Sequence, residues 1–232
     1  DFPTAYDFPF AHGVASGDPL QDRVIIWTRV TLAERDPDGA PGANPKGMRI
    51  PVDWSVATDR EMSNVVVSGT QEAIAEHDWT IKVDVTGLAT GETYYYQFVS
   101  QGQKSVIGRT RTAFGAGIDE MRMAVMSCSS YWSSWWSGLS HLANRNDLDL
   151  VVHLGDYLYD FIDKDEMVRS RPGFDKLDHP DNRDWLNLDE VRRRYALWRS
   201  DENFARAHQQ HPWTIIWDNH DIDPFYGNQV DV

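Results

Sequence analysis

A single cysteine, Cys128, stands among 232 residues, so no internal disulfide can form. A chain this poor in cysteine is compatible with an oxidising compartment, where free thiols are a liability. Long apolar runs are also missing. None approaches the roughly 18 residues that a membrane-spanning helix requires, and the sequence predicts a soluble protein with no membrane span. Basic residues are scarce: 22 Lys and Arg face 36 Asp and Glu, for a net charge of −14. Such a field repels nucleic acid and anionic membrane surfaces, and neither is expected as a partner. An anionic substrate can bind only where cations locally reverse the potential, which points towards metal. Internal repeats and low-complexity tracts are absent. The opening Asp1-Phe2-Pro3-Thr4 has no basic region followed by an apolar stretch. The expectation is a secreted or periplasmic protein whose leader has been removed.

What is present reads as a globular chain, 41% hydrophobic and 25% charged, long enough for one large or two ordinary domains. From Pro9 to about Phe114 short alternating segments are broken by turn residues: Val24–Thr28, Val52–Val56, Ile81–Val85 and Tyr94–Val99. This is the pattern of a β-sandwich of roughly seven strands. The stretch Val85–Tyr94 resembles the turn before a late strand of fibronectin type III domains. Asp36–Gly47, rich in Pro, Gly and Asp, reads as a surface loop.

Beyond Gly115-Ala116-Gly117 the pattern becomes strands alternating with helices, which predicts two domains, 1–116 and 117–232. Met121–Ser127 and Leu148–Leu154 read as strands flanking a helix at Ser137–Asn146, a β-α-β unit with a parallel sheet. Asp160–Asn187 is a long charged insertion of the kind that is usually functional or mobile. Leu188, Val191, Tyr195 and Trp198 recur at helical spacing and predict one apolar face, with Arg192, Arg193 and Arg194 on a solvated one. A second helix starts at Ser200 or Asp201 and ends at His211-Pro212. Trp213–Trp217 is the third strand.

Each of these three strands ends in polar residues: Cys128, then Asp156, then Asn219 and His220. The carboxyl ends of strands in an open parallel sheet line a binding crevice, so these residues are expected to converge. Gly155 permits a sharp turn, after which Asp156 can bridge two cations. Tyr159, three residues on, is placed to return alongside that carboxylate. A phenol ionises at neutral pH only beside strong positive charge, so a phenolate ligand suggests a hard trivalent ion such as iron, and a Cys128 thiolate suits the same transition metal. The alternative for Tyr159 is an ordinary packed aromatic.

Asp156 with Tyr159, and Trp217-Asp218-Asn219-His220-Asp221, resemble the blocks of calcineurin-like metallophosphoesterases, specifically the PhoD-type alkaline phosphatase and phosphodiesterase family. The resemblance extends to Gly13–Pro19, Val24–Arg29, Gly108–Thr112, Ser127-Cys128-Ser129, Val152–Tyr157 and Arg194–Asp201, and so covers nearly the whole chain. It implies a β-sandwich followed by an α/β metallophosphoesterase domain of stacked sheets flanked by helices, here truncated at its C-terminal side. It implies hydrolysis of phosphate monoesters or diesters with Fe3+ and Ca2+, another divalent cation being possible at the second position. Carried over by motif, Cys128 and Tyr159 ligate iron, Asp156 bridges the metals and takes part in catalysis, and Asn219 binds the Ca2+. His220 contacts the substrate phosphate and assists the leaving group. The family pattern Asp-Asp-His-Glu reads Asp218-Asn219-His220-Asp221 here, and paired Asn are expected soon after, whereas only Asn228 follows. Further His and carboxylate ligands belong on later strands, which predicts a second polypeptide fragment completing the domain. The rival from another class is a non-catalytic binding protein with a degenerate second domain.

Three features have blander readings. His153, inside an apolar strand, is expected to be a hydrogen-bonded core residue rather than a ligand. Tyr131, Trp132, Trp135 and Trp136 are either a pocket wall or helix packing. Ser127, Ser129 and Ser130 lack the Gly-x-Ser-x-Gly elbow of a serine hydrolase.

Overall fold

The computed structural model describes residues 6–32, 47–133, 135–159 and 188–222. Most of the Asp36–Gly47 stretch, the whole Asp160–Asn187 insertion and Asn228 lie outside the described residues. The described elements, in chain order, are β1 (Val14–Gly17), β2 (Arg23–Arg29), β3 (Arg49–Ala57), β4 (Val65–Ile74), β5 (Thr80–Thr86), β6 (Thr93–Ser100), β7 (Gln103–Lys104) and β8 (Gly108–Arg111). Then come β9 (Met123–Met126), α1 (Ser137–Ala143), β10 (Leu150–His153), α2 (Leu188–Arg199), α3 (Glu202–Gln210) and β11 (Pro212–Ile215). The described chain is mostly sheet, with few helices.

The described residues form two sheets. One runs β5-β2-β1-β11-β10-β9, antiparallel from β5 to β1 and parallel from β1 to β9. The other is antiparallel, ordered β4-β3-β6-β7, with β8 also paired to β6. Alternation explains why they stack. Val24 and Ile26 of β2, Ile81, Val83 and Val85 of β5, Val52 and Val56 of β3, and Tyr96 and Phe98 of β6 all point into one shared core. Each such side chain contributes roughly 1.5–3 kcal/mol when fully buried.

Strand β1 joins this half to the parallel half, pairing Ser16 with Pro212 and Gly17 with Trp213. The Asp18 amide continues the ladder by donating to the Trp213 carbonyl at 3.0 Å. A Cβ on Gly17 would lie 2.5 Å from that same carbonyl oxygen, so only glycine permits the approach. Arginines of the Gly108–Thr112 block add polar ties. Arg109 donates to the carbonyls of Asn146 and Gln210, and Arg111 pairs with Asp149 at 2.9 Å.

Over the parallel strands one face packs on the helices, through Val151, Trp213, Leu197, Trp198, Phe204 and Ala207. The aromatics after β9 belong to this second core. Tyr131, Trp132 and Trp136 are buried against Trp198 with ring centroids 5.3, 5.3 and 6.3 Å away, so they pack the helices, while Trp135 is partly exposed. The opposite face of β9–β11 is uncovered among the described residues: Met123, Val125 and Ile216 are each at least half exposed, and Leu154 nearly so.

Helix α3 starts where the sequence places it, with the Asp201 carboxylate accepting from the Phe204 amide. Helix α2 differs from the sequence reading. Its buried residues are Arg194, Ala196, Leu197, Trp198 and Arg199, whereas Leu188 and Tyr195 are exposed. Arg194 is thus not on a solvated face. Spacing located the helix, but two arginines whose donors meet backbone carbonyls inside the protein rotate the buried stripe away from the purely apolar one.

Candidate active site

The three parallel strands β9, β10 and β11 end side by side, in register Val152↔Val125 and Val152↔Thr214. The turn after β9 carries Cys128 and the turn after β10 carries Gly155, Asp156 and Tyr159. A 3-10 turn after β11 (Asn219–Asp221) carries Asn219 and His220. Cys128 and Asp156 both hold left-handed backbone, φ 58° and 55°. Non-glycine residues enter that region at a cost, and paired outliers at two adjacent strand ends are the kind of strain that functional sites retain.

The turns are tied to one another by main-chain bonds. Cys128 N–H donates to the Gly155 carbonyl at 3.1 Å and Ser129 N–H to the Asp156 carbonyl at 2.8 Å. Gly155 lies at φ 103°, and a Cβ there would meet Asp218 Cβ at 2.5 Å, so glycine alone lets the turns after β10 and β11 touch. The Asp156 carboxylate is buried and faces both neighbours. Its Oδ2 lies 3.5 Å from Cys128 Sγ, and its Oδ1 accepts from the His220 amide at 3.3 Å. The Tyr159 ring stacks on the His220 imidazole with centroids 4.5 Å apart, so it is not a core aromatic alone. Cys128 and Asn219 are exposed.

Asp221 organises the third turn, and the sequence reading assigned it no role. Its Oδ1 accepts from the Leu158 amide at 2.8 Å and its Oδ2 from the Asp218 amide at 3.1 Å, the latter closing a capping box with the Asp218 carboxylate. Burial pushes the Asp221 carboxyl up, and these amides partly offset that. The readable signal was Asp at both ends of Asp218-Asn219-His220-Asp221, the spacing of a capping box.

Beneath the site, His153 is fully buried, and burial pushes its imidazole down to about 4. The Gly155 amide donates to its Nδ1. An amide can only donate, so the ring proton sits on Nε2 and is given to Ser129 Oγ at 2.8 Å. His153 is therefore a neutral core group, as its sequence setting predicts, and braces Ser129.

The structure thus brings Cys128, Asp156, Tyr159 and His220 into one corner and sets Asn219 on the adjoining turn. Among the described residues no three His, Cys, Asp or Glu side chains cluster closely enough to hold a metal by themselves. The donors present also include a phenol and an amide, and thiol, carboxylate, phenol and amide on adjoining turns are a chemically suitable set for a hard or transition cation.

Residues 3–114 match the family model for the PhoD-like phosphatase N-terminal domain, and residues 123–230 that of the PhoD-like phosphatase itself. Alkaline phosphatase D of Bacillus subtilis (strain 168) is 34% identical over 235 residues, covering 98% of this chain. The chain spans only 38% of the length of that relative. The solved structure of PhoD superposes with a TM-score of 0.79 at 34% identity, covering 92% of this chain and 40% of that one. The chain belongs to the PhoD-like phosphatase family.

Proposed function

We propose that this chain carries part of the active site of a metal-dependent hydrolase of phosphate monoesters or diesters, built on Cys128, Asp156, Tyr159, Asn219 and His220. The observation that carries the reading is the juncture of the three strand-end turns around the buried Asp156 carboxylate, with Cys128 Sγ at 3.5 Å on one side and the His220 amide at 3.3 Å on the other. Cys128 and Tyr159 would hold Fe3+, Asn219 would hold Ca2+ or another divalent ion, and Asp156 would bridge the two. The cations would supply Lewis acidity and neutralise the charge of the phosphoryl oxygens. His220, fixed by its own amide and by the Tyr159 ring, would contact the phosphate and hold the proton that the leaving oxygen receives.

The finer architecture belongs to the same proposal: a β-sandwich over residues 1–116 and a metallophosphoesterase domain of stacked sheets from residue 117. Among the described residues the apolar face of β9–β11 is uncovered, with Met123, Val125 and Ile216 at least half exposed, which supports a further polypeptide segment closing that domain and adding ligands. Action outside the cytoplasm completes the reading.

The test is hydrolysis by the natively isolated protein of p-nitrophenyl phosphate and bis(p-nitrophenyl) phosphate, with iron and calcium assayed in the same sample. Turnover of either substrate with bound iron is expected. Absence of both turnover and iron sinks the proposal, and function that survives Asp156→Ala favours a non-catalytic binding protein.

A further inference from the structure

We infer that helix α2 clamps the site: Arg194 and Trp198 are paired positioning residues that fix the Cys128 turn and the Tyr159 turn relative to each other. The inference rests on the proposed site and names what sets its geometry. Arg194 and Trp198 are four residues apart, so they share one face of the helix. Both are buried to within 1%. Trp198 Nε1–H donates to the Ser129 carbonyl at 2.7 Å, and Arg194 Nη1–H donates to the Tyr159 carbonyl at 2.6 Å. One rigid helical turn therefore grips the backbone next to Cys128 and the backbone of Tyr159 itself.

Direct main-chain bonds zip Cys128 and Ser129 to Gly155 and Asp156, but Tyr159 lies beyond that zipper. Its backbone is fixed by Arg194, and its ring rests on His220. The indole of Trp198 is itself locked among Tyr131, Trp132 and Trp136, so its donor cannot follow a shifting turn. Neither side chain reaches the reacting atoms. Their effect is on the spacing of groups that do, where a displacement near 1 Å costs on the order of 100-fold in rate. This also gives a reason for a buried arginine in a helix where an apolar residue would pack as well.

The variants are Trp198→Phe, which keeps a ring and removes only the Nε1 donor, together with Arg194→Met and Arg194→Lys. In the natively expressed protein, Trp198→Phe and Arg194→Met are expected to lower kcat about tenfold while KM changes less than about threefold, and Arg194→Lys is expected to recover most of the loss. A merely structural role would lower thermal stability and active fraction without that split or rescue. Amide exchange on the metal-free protein supplies a readout independent of turnover: Trp198→Phe speeds exchange across 127–130 and Arg194→Met across 157–159. If Arg194→Met does not fold, Trp198→Phe decides. Wild-type kcat and wild-type exchange in Trp198→Phe would overturn the inference. A wild-type protein that neither binds metal nor turns over would instead overturn the site reading, and exchange would still judge the clamp.

Discussion

The backbone N–H of Ser129 donates to the carbonyl of Asp156 at 2.8 Å, joining the turn after β9 to the turn after β10. Through that bond the thiol of Cys128 and the carboxylate of Asp156 share one rigid frame, although 28 residues separate them in the chain.

Gly155→Ala is expected to destabilise the protein by roughly 2–4 kcal/mol, since alanine at φ 103° is strained and its Cβ would sit 2.5 Å from Asp218 Cβ. The displaced Asp218 turn would carry Asn219 and His220 with it, and activity should fall further than stability. Thermal denaturation followed by assay of the folded fraction checks both. Wild-type stability would show that the turns do not touch.

Asp221→Ala removes the acceptor of the Leu158 and Asp218 amides and breaks the capping box. A loss of about 2 kcal/mol is expected, from the cap and from one amide left without a partner. Asp221→Asn keeps one acceptor oxygen and should recover part of it. Urea denaturation midpoints separate the three proteins.

Stability of the metal-free protein should fall as pH drops from about 6.5 towards 4. His153 is held neutral by burial, its imidazole pushed down to about 4. Burial also lowers His12, His208 and His211. With folded values below the unfolded ones, the unfolded chain binds more protons in this window, and lowering the pH favours it. His153 alone contributes on the order of 3 kcal/mol at neutral pH that is absent below pH 4. Asp221, raised by burial, works in the opposite sense but is one group against four. Denaturation midpoints across this range check the sign, and His153→Asn should flatten the slope.

Cys128→Asp is expected to keep metal and a substantial part of the turnover, because a carboxylate can replace the thiolate at a hard ion. Cys128→Ala should lose both, on the order of 100-fold in kcat. Aspartate, like asparagine, tolerates the left-handed backbone that Cys128 adopts better than most residues do. Equal activity in the two variants would remove Cys128 from the proposed metal site.

The meeting of the Cys128, Asp156 and His220 turns was legible because these residues stand at strand ends. Short apolar segments ending in Cys128, Asp156 and Asn219-His220 located three parallel strands, and parallel strands in one sheet deliver their carboxyl ends to one edge. His153 was legible as a core group from its apolar neighbours. The pairing of β1 with β11 was not, because it depends on Gly17 fitting against a carbonyl about 200 residues away, and no local pattern encodes that. The buried face of α2 departs from its apolar periodicity for a related reason. Periodicity counts apolar side chains, whereas Arg194 and Arg199 are buried by hydrogen bonds to carbonyls of other segments. Asp221 carries a local signal only in its capping-box spacing with Asp218; its bond to the Leu158 amide forms only when two turns meet.

The most direct measurement is the iron content and visible absorption of the natively isolated protein, compared with its Asp156→Ala and Tyr159→Phe variants. Bound iron with a visible charge-transfer band is expected in the wild type, with the phenolate contribution lost in Tyr159→Phe, so that the band weakens and shifts, and the metal lost in Asp156→Ala. Iron retained in full by Asp156→Ala, or a band unchanged in Tyr159→Phe, would contradict the account.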